Sequence, residues 1–356
     1  MDWLYSGAKL LMLATLLKQT PTTVFVAVPI PGNQYLAVAH ATSPFVTIYK
    51  RNSDSFAKIP DPDTLPTGNA VSACFSVDGN YLAIAHSVSP YVTIYKRSGD
   101  VFTKLPDPLS LPTGNGSAVW FSSDGVYLAV GHSTTPFLTI YKRSGDTFTK
   151  LANPATLPAS AGTGVSFSTD AVYLAVSHAA TPFVTIYKRS GDTFTKLANP
   201  STLPPLLGRS VSFSNDGVYL AVGHNSSPYT SIYKRSADTF TKLADPSTLV
   251  PGASLGVSFS SDVVYFAASS PVTPYINNYK RSSDTFTKLA NATALPTGAG
   301  SANTFSPDTI YQAVAHTAYP YITIYKRSAD TFTKLSDPAT LPTGNGSGVS
   351  FSPIIV

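Results

Sequence analysis

The sequence has no glutamate, a single cysteine and no long apolar run. All 19 acidic residues are aspartates, so a catalytic carboxylate would have to come from an aspartate. Cys74 has no partner with which to form a disulfide framework, and it leaves the redox compartment undetermined. The apolar stretch at residues 10–17 is too short for a membrane-spanning helix, which needs roughly 20 residues.

What the sequence does contain is a repeat of constant length. A segment close to Tyr-Leu-Ala-Val-Ala-His returns every 46 residues, and a second segment close to Val-Thr-Ile-Tyr-Lys-Arg follows each copy. The seven leading tyrosines are Tyr35, Tyr81, Tyr127, Tyr173, Tyr219, Tyr265 and Tyr311. A fixed period of this size, built from short β-rich runs, is typical of radial or stacked repeat architectures.

Each repeat predicts four short strands. In the second unit the predicted strands are 71–76, 81–86, 91–97 and 101–105; the third shows period-two alternation, and the turn pairs Asp78-Gly79 and Gly99-Asp100 lie between strands. A connector rich in proline and glycine follows, where proline would interrupt a β-ladder. Seven such units predict an all-β fold, a seven-bladed β-propeller of 46-residue four-stranded repeats.

The two ends of the chain depart from the repeat. We expect a first segment, residues 1–21, to form a short helical arm that attaches to the propeller or to a partner; a signal-like or membrane-associating segment is the alternative. We expect the propeller to span residues 22–356 and to be closed by a C-terminal strand at 348–353, a further copy of the first strand of a repeat. The alternative is that residues 24–28 fill that place.

The net charge of +5 is distributed with the repeat. All basic residues except Lys9, Lys18 and Arg209 recur at three positions of each unit, and an aspartate lies three residues after each recurring arginine. This pattern favours a solvated, partly paired belt of charge over a groove that tracks phosphates. No specific nucleic-acid partner is expected.

The histidines share one repeat position, and aromatic residues recur just beyond it. A metal would need ligands that converge on one point, whereas equivalent positions in different blades are spread around a circle, so no metal site or cofactor is expected. A structural role and a ligand site repeated between blades both remain open for these histidines, and core packing and ligand stacking both remain open for the aromatic residues. The repeated ligand-binding candidates are His40, His86, His132, His178, His224, His316, Phe45, Tyr91, Phe137, Phe183, Tyr229 and Tyr321.

Residues that depart from the repeat are the better candidates for a specific function, because the repeat does not explain them. The sixth unit lacks the histidine, has Asn277-Asn278 in place of Thr-Ile, and is preceded by the unusually apolar connectors 204–209 and 249–255. Exposed apolar loops beside an arginine suit a protein interface, and simple drift of the repeat is the alternative. The candidate partner-contact residues are Leu206, Leu207, Arg209, Val250, Leu255, Asn277, Asn278, Trp3 and Leu4.

Units such as Phe-Ser-Ser-Asp-Gly-Val-Tyr-Leu-Ala-Val-Gly-His at residues 121–132 resemble the blades of WD40-type and YVTN lactonase-type propellers. The resemblance covers about residues 22–356, although Tyr-Lys stands where WD40 blades have Trp-Asp. It implies a propeller and, for the lactonase type, chemistry by acidic and histidine residues at the channel mouth. Repetitive propellers with a short N-terminal segment also resemble bacteriophage virion proteins.

These patterns together favour a non-enzymatic binding propeller, because no nucleophile, histidine and aspartate form a singular constellation. We expect such a protein to bind glycans or other structural proteins multivalently, through residues 1–20 or the two connectors, and to act on a virion or outside the cell. A lactonase-like hydrolase and an intracellular interaction scaffold are the alternatives.

Overall fold

The computed structural model describes residues 33–355, and these residues form seven four-stranded antiparallel sheets. Each sheet is one blade, and the predicted seven-bladed all-β propeller is confirmed. The helical arm expected over residues 1–21, with Trp3 and Leu4, lies outside the described residues, as do residues 24–28. In residues 33–355 we find no helix with the length and apolar character required to cross a membrane.

The strands are numbered in chain order. Blades one to three contain β1 (Tyr35–His40), β2 (Val46–Asn52), β3 (Ser55–Lys58), β4 (Ala70–Phe75), β5 (Tyr81–His86), β6 (Val92–Ser98), β7 (Val101–Lys104), β8 (Gly116–Phe121), β9 (Tyr127–His132), β10 (Leu138–Ser144) and β11 (Thr147–Lys150). Blades four and five contain β12 (Gly162–Phe167), β13 (Tyr173–His178), β14 (Val184–Ser190), β15 (Thr193–Lys196), β16 (Gly208–Phe213), β17 (Tyr219–His224), β18 (Thr230–Ser236) and β19 (Thr239–Lys242). Blades six and seven contain β20 (Gly256–Phe259), β21 (Tyr265–Ser269), β22 (Ile276–Ser282), β23 (Thr285–Lys288), β24 (Gly300–Phe305), β25 (Tyr311–His316), β26 (Ile322–Ser328) and β27 (Thr331–Lys334), and β28 (Gly346–Phe351) follows.

The C-terminal strand completes the first blade. β28 pairs antiparallel with β1, so the sheet order of blade one is β28-β1-β2-β3 and the innermost position belongs to the last strand of the chain. The Ser352 hydroxyl accepts a hydrogen bond from the Tyr35 backbone N–H at 2.8 Å, and Asn33 bridges to Ile355. The two ends of residues 33–355 are therefore held together by ladder hydrogen bonds.

The core lies between neighbouring blades. Apolar side chains of one sheet pack on the facing side of the next, as where Tyr81, Ile94 and Leu128 are buried in one cluster from blades two and three. The second strands are buried on both faces, which explains why they consist almost wholly of apolar residues. This arrangement distributes the hydrophobic stabilisation around the ring.

Glycine permits the blades to approach closely near the channel. A Cβ atom built on Gly116 would lie 2.2 Å from the backbone oxygen of Tyr91 in the preceding blade. Blade six has Ser254 at the corresponding position, and its innermost strand β20 starts two residues later, at Gly256. The blade is therefore shortened at the channel.

A set of four side chains, which we call the blade clasp, joins each blade to the next. At the junction of blades seven and one, the Tyr311 hydroxyl donates to Asp54 at 2.5 Å and Lys326 Nζ lies 2.7 Å from the same carboxylate. The Arg51 guanidinium covers the Tyr311 ring at 4.4 Å. Hydrogen bonds from Lys326 and Tyr311 lower the pKa of Asp54. Equivalent clasps occupy all seven junctions, which accounts for most of the repeating charge.

Blades six and seven are joined by an additional polar contact that the other junctions lack in residues 33–355. The Asn278 amide donates to Gln312 Oε1 at 3.0 Å, and the Gln312 amide donates back to Asn278 Oδ1 at 2.8 Å. Both side chains are buried, and they stand where most other repeats have an isoleucine and a leucine. The two departures from the repeat therefore compensate each other, because each amide satisfies the other.

Candidate functional site

The six repeated histidines are structural. Each imidazole is fully buried at the end of the second strand, and its Nε2 lies 2.9–3.1 Å from a threonine or serine hydroxyl on the third strand. Burial lowers the pKa of each histidine to about 4, so the rings are neutral at pH 7. The interpretation of His40, His86, His132, His178, His224 and His316 as ligand contacts is therefore wrong for the folded blade, because no ring reaches the surface.

The recurring aromatic residues lie one turn away, on the face that carries the connectors between blades; we call this the connector face. Phe45, Tyr91, Phe137, Phe183, Tyr229 and Tyr321 are half-buried, follow a cis-proline and have φ between 66° and 70°. Their carbonyl oxygens accept the backbone N–H of the nearby histidine, for example Phe137 to His132 at 3.0 Å. Their role as ligand contacts remains a prediction.

Some of the candidate partner-contact residues are buried in the structure, and others are exposed or half-buried. Val250 is buried between blades five and six, and Asn277 and Asn278 are buried within blade six. These three cannot touch a partner without unfolding of the blade, so that part of the prediction is corrected. Leu206 is exposed, Leu207 is half-buried, and Leu255 is half-buried and lines the channel.

A central channel is lined by the innermost strands of the blades. At the connector face it opens into a cavity of about 460 Å³, and towards the opposite face into one of about 260 Å³. A ring of seven side chains, one from each innermost strand or the residue before it, surrounds the connector-face opening; we call it the mouth ring. Its members are Val71, Ser117, Thr163, Arg209, Leu255, Ser301 and Ser347.

Arg209 is the charged member of the mouth ring. Its Nε donates to the Asn225 side-chain oxygen at 2.8 Å, a contact that orients the guanidinium and leaves both Nη nitrogens without a hydrogen-bond partner in residues 33–355. The side chain is exposed and stands among neutral hydroxyls. An oriented guanidinium of this kind can bind a carboxylate or phosphate and can stabilise negative charge that develops on an oxygen.

A second departure from the repeat lies two blades farther along the same opening. Asn303 replaces a valine or alanine of the other units, and its amide donates to the Gly256 carbonyl at 3.0 Å and to Ser269 at 2.8 Å. Its oxygen accepts the Ser258 hydroxyl at 2.5 Å. Asn303 therefore holds the shortened β20 beside the mouth. Arg209, Leu255 and Asn303, from blades five, six and seven, lie along one arc of the channel opening.

The side chains that line the two channel cavities include no aspartate and no histidine in the described chain. The arc can therefore bind, orient and polarise a substrate, but none of these side chains is a general base of ordinary kind. Two residues near it, Asn303 and Ser269, were missed from the sequence, as was Gln312 at the junction of blades six and seven. Comparing each 46-residue position across the units would have found Asn303 and Gln312, since each replaces an apolar residue.

By sequence, no protein-family model and no curated protein matches the chain. By structure, it is similar to a protein of Lactobacillus plantarum, with a TM-score of 0.73, 15% identity, and coverage of 90% of this chain and 99% of that one. It is also similar to a candidate 6-phosphogluconolactonase of Bacteroides fragilis, with a TM-score of 0.71, 13% identity, and coverage of 93% and 99%. The periplasmic gluconolactonase of Pseudomonas aeruginosa has a TM-score of 0.68, 12% identity, and coverage of 90% and 99%.

These likenesses establish the fold and overturn one expectation from the sequence. The expectation of a protein without enzymatic activity is corrected, because several propellers of this shape are described as lactonases. The lack of glutamate and of a repeated catalytic motif therefore does not exclude hydrolysis. By structure, the chain is a seven-bladed β-propeller whose neighbours include proteins described as lactonases.

Proposed function

We propose that the protein is a lactone hydrolase and that its site is the arc of the mouth ring around Arg209. The observation that carries the proposal is Arg209 itself, the one cation of the described channel lining, oriented by Asn225 and facing a cavity of about 460 Å³. That volume suits a single sugar-sized ligand. The lactonase descriptions of several structural neighbours support the same reaction class.

The reaction would use Arg209 as an electrostatic catalyst. Water attacks the lactone carbonyl carbon, and the negative charge that forms on the carbonyl oxygen lies against the guanidinium. The bond from that carbon to the ring oxygen then breaks, the ring oxygen takes up a proton from solvent, and the attacking water gives one up to solvent. The product is an open hydroxy acid, whose carboxyl group then ionises and releases a proton. Serine and threonine hydroxyls of the mouth ring would bind the sugar hydroxyls.

The test is whether the protein hydrolyses glucono-δ-lactone and its 6-phosphate. The release of protons is measured and compared with the rate of spontaneous hydrolysis. Arg209→Ser places in blade five the residue that blade three has at Ser117, so the fold should tolerate it. We expect kcat/KM to fall about 100-fold, the usual effect of losing one oxyanion donor. Lys150→Gln, on the outermost strand of blade three, is the matched control for charge.

Either of two outcomes would refute the proposal. One is a wild-type protein that fails to exceed the spontaneous rate with both lactones. The other is an Arg209→Ser protein that hydrolyses them as well as Lys150→Gln does. A larger loss with the 6-phosphate than with the unphosphorylated lactone would instead assign Arg209 mainly to binding the phosphate.

A second function, multivalent binding of glycans, is favoured by the aromatic residues that recur half-buried on the connector face. Equivalent weak sites on one rigid ring gain affinity when several are engaged together. Binding of other structural proteins through residues 1–20 or the connectors 204–209 and 249–255, on a virion or outside the cell, belongs to this proposal. A glycan array with Tyr91→Ala and Phe137→Ala variants tests it, and loss of array signal is the expected result.

A further inference from the structure

One residue breaks the sequence pattern inside the channel and is not used by the lactonase mechanism. Trp120 lies in β8, is 38% exposed, and lines both channel cavities, so its indole stands at the boundary between them. The other six units have small side chains at this position: Cys74, Ser166, Ser212, Ser258, Thr304 and Ser350. A tryptophan at this place narrows a channel that these residues would otherwise leave open.

The substitution removes a structural hydrogen bond. In blade four the Ser166 hydroxyl accepts a hydrogen bond from the backbone N–H of Phe213 at 3.1 Å, and in blade one the Ser350 hydroxyl accepts one from the backbone N–H of Phe75 at 3.2 Å. Trp120 has no hydroxyl to offer Phe167 in the same way. A residue that gives up a repeated contact and exposes a large apolar face points to a functional role.

The surroundings of the indole determine what it can bind. One side of the cavity carries hydroxyls and the Arg209 guanidinium, whereas Trp120 supplies an apolar face below them. A pyranose or δ-lactone ring has that same division, with apolar C–H groups on its faces and hydroxyls around its edge. Aromatic faces bind apolar surfaces of this size, with a preference for defined stacking geometry.

We propose that Trp120 is the platform on which a six-membered sugar ring stacks, and that it thereby selects cyclic over open-chain ligands. The expectation that the bound ring is a lactone rests on the proposed lactonase function, whereas the stacking of a sugar ring on Trp120 does not depend on it. In this arrangement the ring lies on the indole and its anionic or carbonyl end points towards Arg209. Trp120 is then a specificity-determining residue and also closes the floor of the site.

Fluorescence tests this directly, because the chain has only two tryptophans, Trp3 and Trp120. In a Trp3→Phe background, emission reports Trp120 alone. The probes are glucose 6-phosphate and glucose, which are cyclic and not hydrolysed by a lactonase, with sorbitol as the open-chain control. We expect a saturable emission change with the cyclic sugars and none with sorbitol.

Calorimetry on variants supplies the second measurement. Trp120→Ser copies Ser166 and Ser212, so it should keep the melting temperature while binding glucose 6-phosphate about tenfold more weakly. The affinity of Trp120→Phe for glucose 6-phosphate should lie between those of wild type and Trp120→Ser. Equal affinity of wild type and Trp120→Ser, or no binding of either cyclic sugar, would overturn the proposal.

The two proposals fail in different ways. Sugar binding that depends on Trp120, in a protein that hydrolyses no lactone, would refute the lactonase function and leave the platform in place. Lactone hydrolysis with the same KM in wild type and Trp120→Ser would refute the platform and leave the lactonase function in place.

Discussion

Mild acid should unfold the propeller through its buried histidines. Burial lowers the pKa of each of the six from 6.5 to about 4. Since the unfolded chain binds these protons more readily than the folded one, stability is lost as the pH falls from about 6.5 towards 4. At about pH 5 the loss is roughly 2 kcal/mol for each histidine.

The six losses add because the histidines lie in different blades and each bonds to a hydroxyl of its own blade. Their sum at about pH 5, roughly 12 kcal/mol, is as large as the whole stability of an ordinary domain. The clasp aspartates act at lower pH, because contacts such as Lys326 to Asp54 hold the carboxylate pKa below its usual value of 3.8. Their stabilisation is lost only as the pH falls through that lower range.

Urea unfolding at a series of pH values, followed by circular dichroism, measures the effect. We expect the midpoint to fall steeply between about pH 6.5 and 5, with an unchanged denaturant slope. The matched variant His132→Ser with Thr139→Asn copies Ser270 and Asn277 of blade six, and it should reduce the pH dependence by about one histidine's share. A midpoint that does not change over this range, or a variant with the wild-type pH dependence, would refute the reasoning.

Three further predictions concern the channel and the contacts between blades. The lactone-hydrolysis rate should rise with hydroxide concentration and show no bell-shaped profile, because the described channel lining holds no base that titrates near neutrality; a bell-shaped profile would contradict this. Tyr311→Phe removes the hydroxyl that donates to Asp54 and should cost about 1 kcal/mol in urea unfolding, whereas an unchanged midpoint would show that this clasp contributes nothing. Asn278→Ile alone leaves the Gln312 amide unpaired and should lower the free energy of unfolding by about 1–3 kcal/mol. Adding Gln312→Leu should recover the stability that the single substitution loses. Equal stability of the single and double variants would contradict the reciprocal amide pair.

Most of the fold could be predicted from the repeat, because each unit carries its own turn residues and alternating strands. The second strand of unit two was predicted at 81–86 and is Tyr81–His86. The third was predicted from Tyr91, but the strand starts at Val92 because Tyr91 has φ of 68°, outside the β region. The shortening of β20 to Gly256–Phe259 could not be predicted in this way, because blade two keeps a six-residue first strand with Ala70 at the position of Ser254.

The candidate site was harder to predict than the fold. Arg209 could be singled out because it does not recur, but whether it faces solvent, a blade or the channel depends on the closed ring. The same holds for Trp120, which also occurs in only one unit at its repeat position. The histidines were misleading for the opposite reason, since a residue copied into six blades attracts attention while serving each blade separately.

The reciprocal amide pair of Asn278 and Gln312 also bears on how the chain finds its order during folding. Strands from near-identical units can pair with the wrong neighbour, a known hazard of repeat proteins. If blade six packed against any of blades one to five, Asn278 would face a leucine where it now meets Gln312, and a buried amide would lose its partners. The pair thus makes the junction of blades six and seven specific, because no other junction places two such amides opposite each other in residues 33–355. Correct pairing at this junction then fixes the order of the remaining blades around the ring.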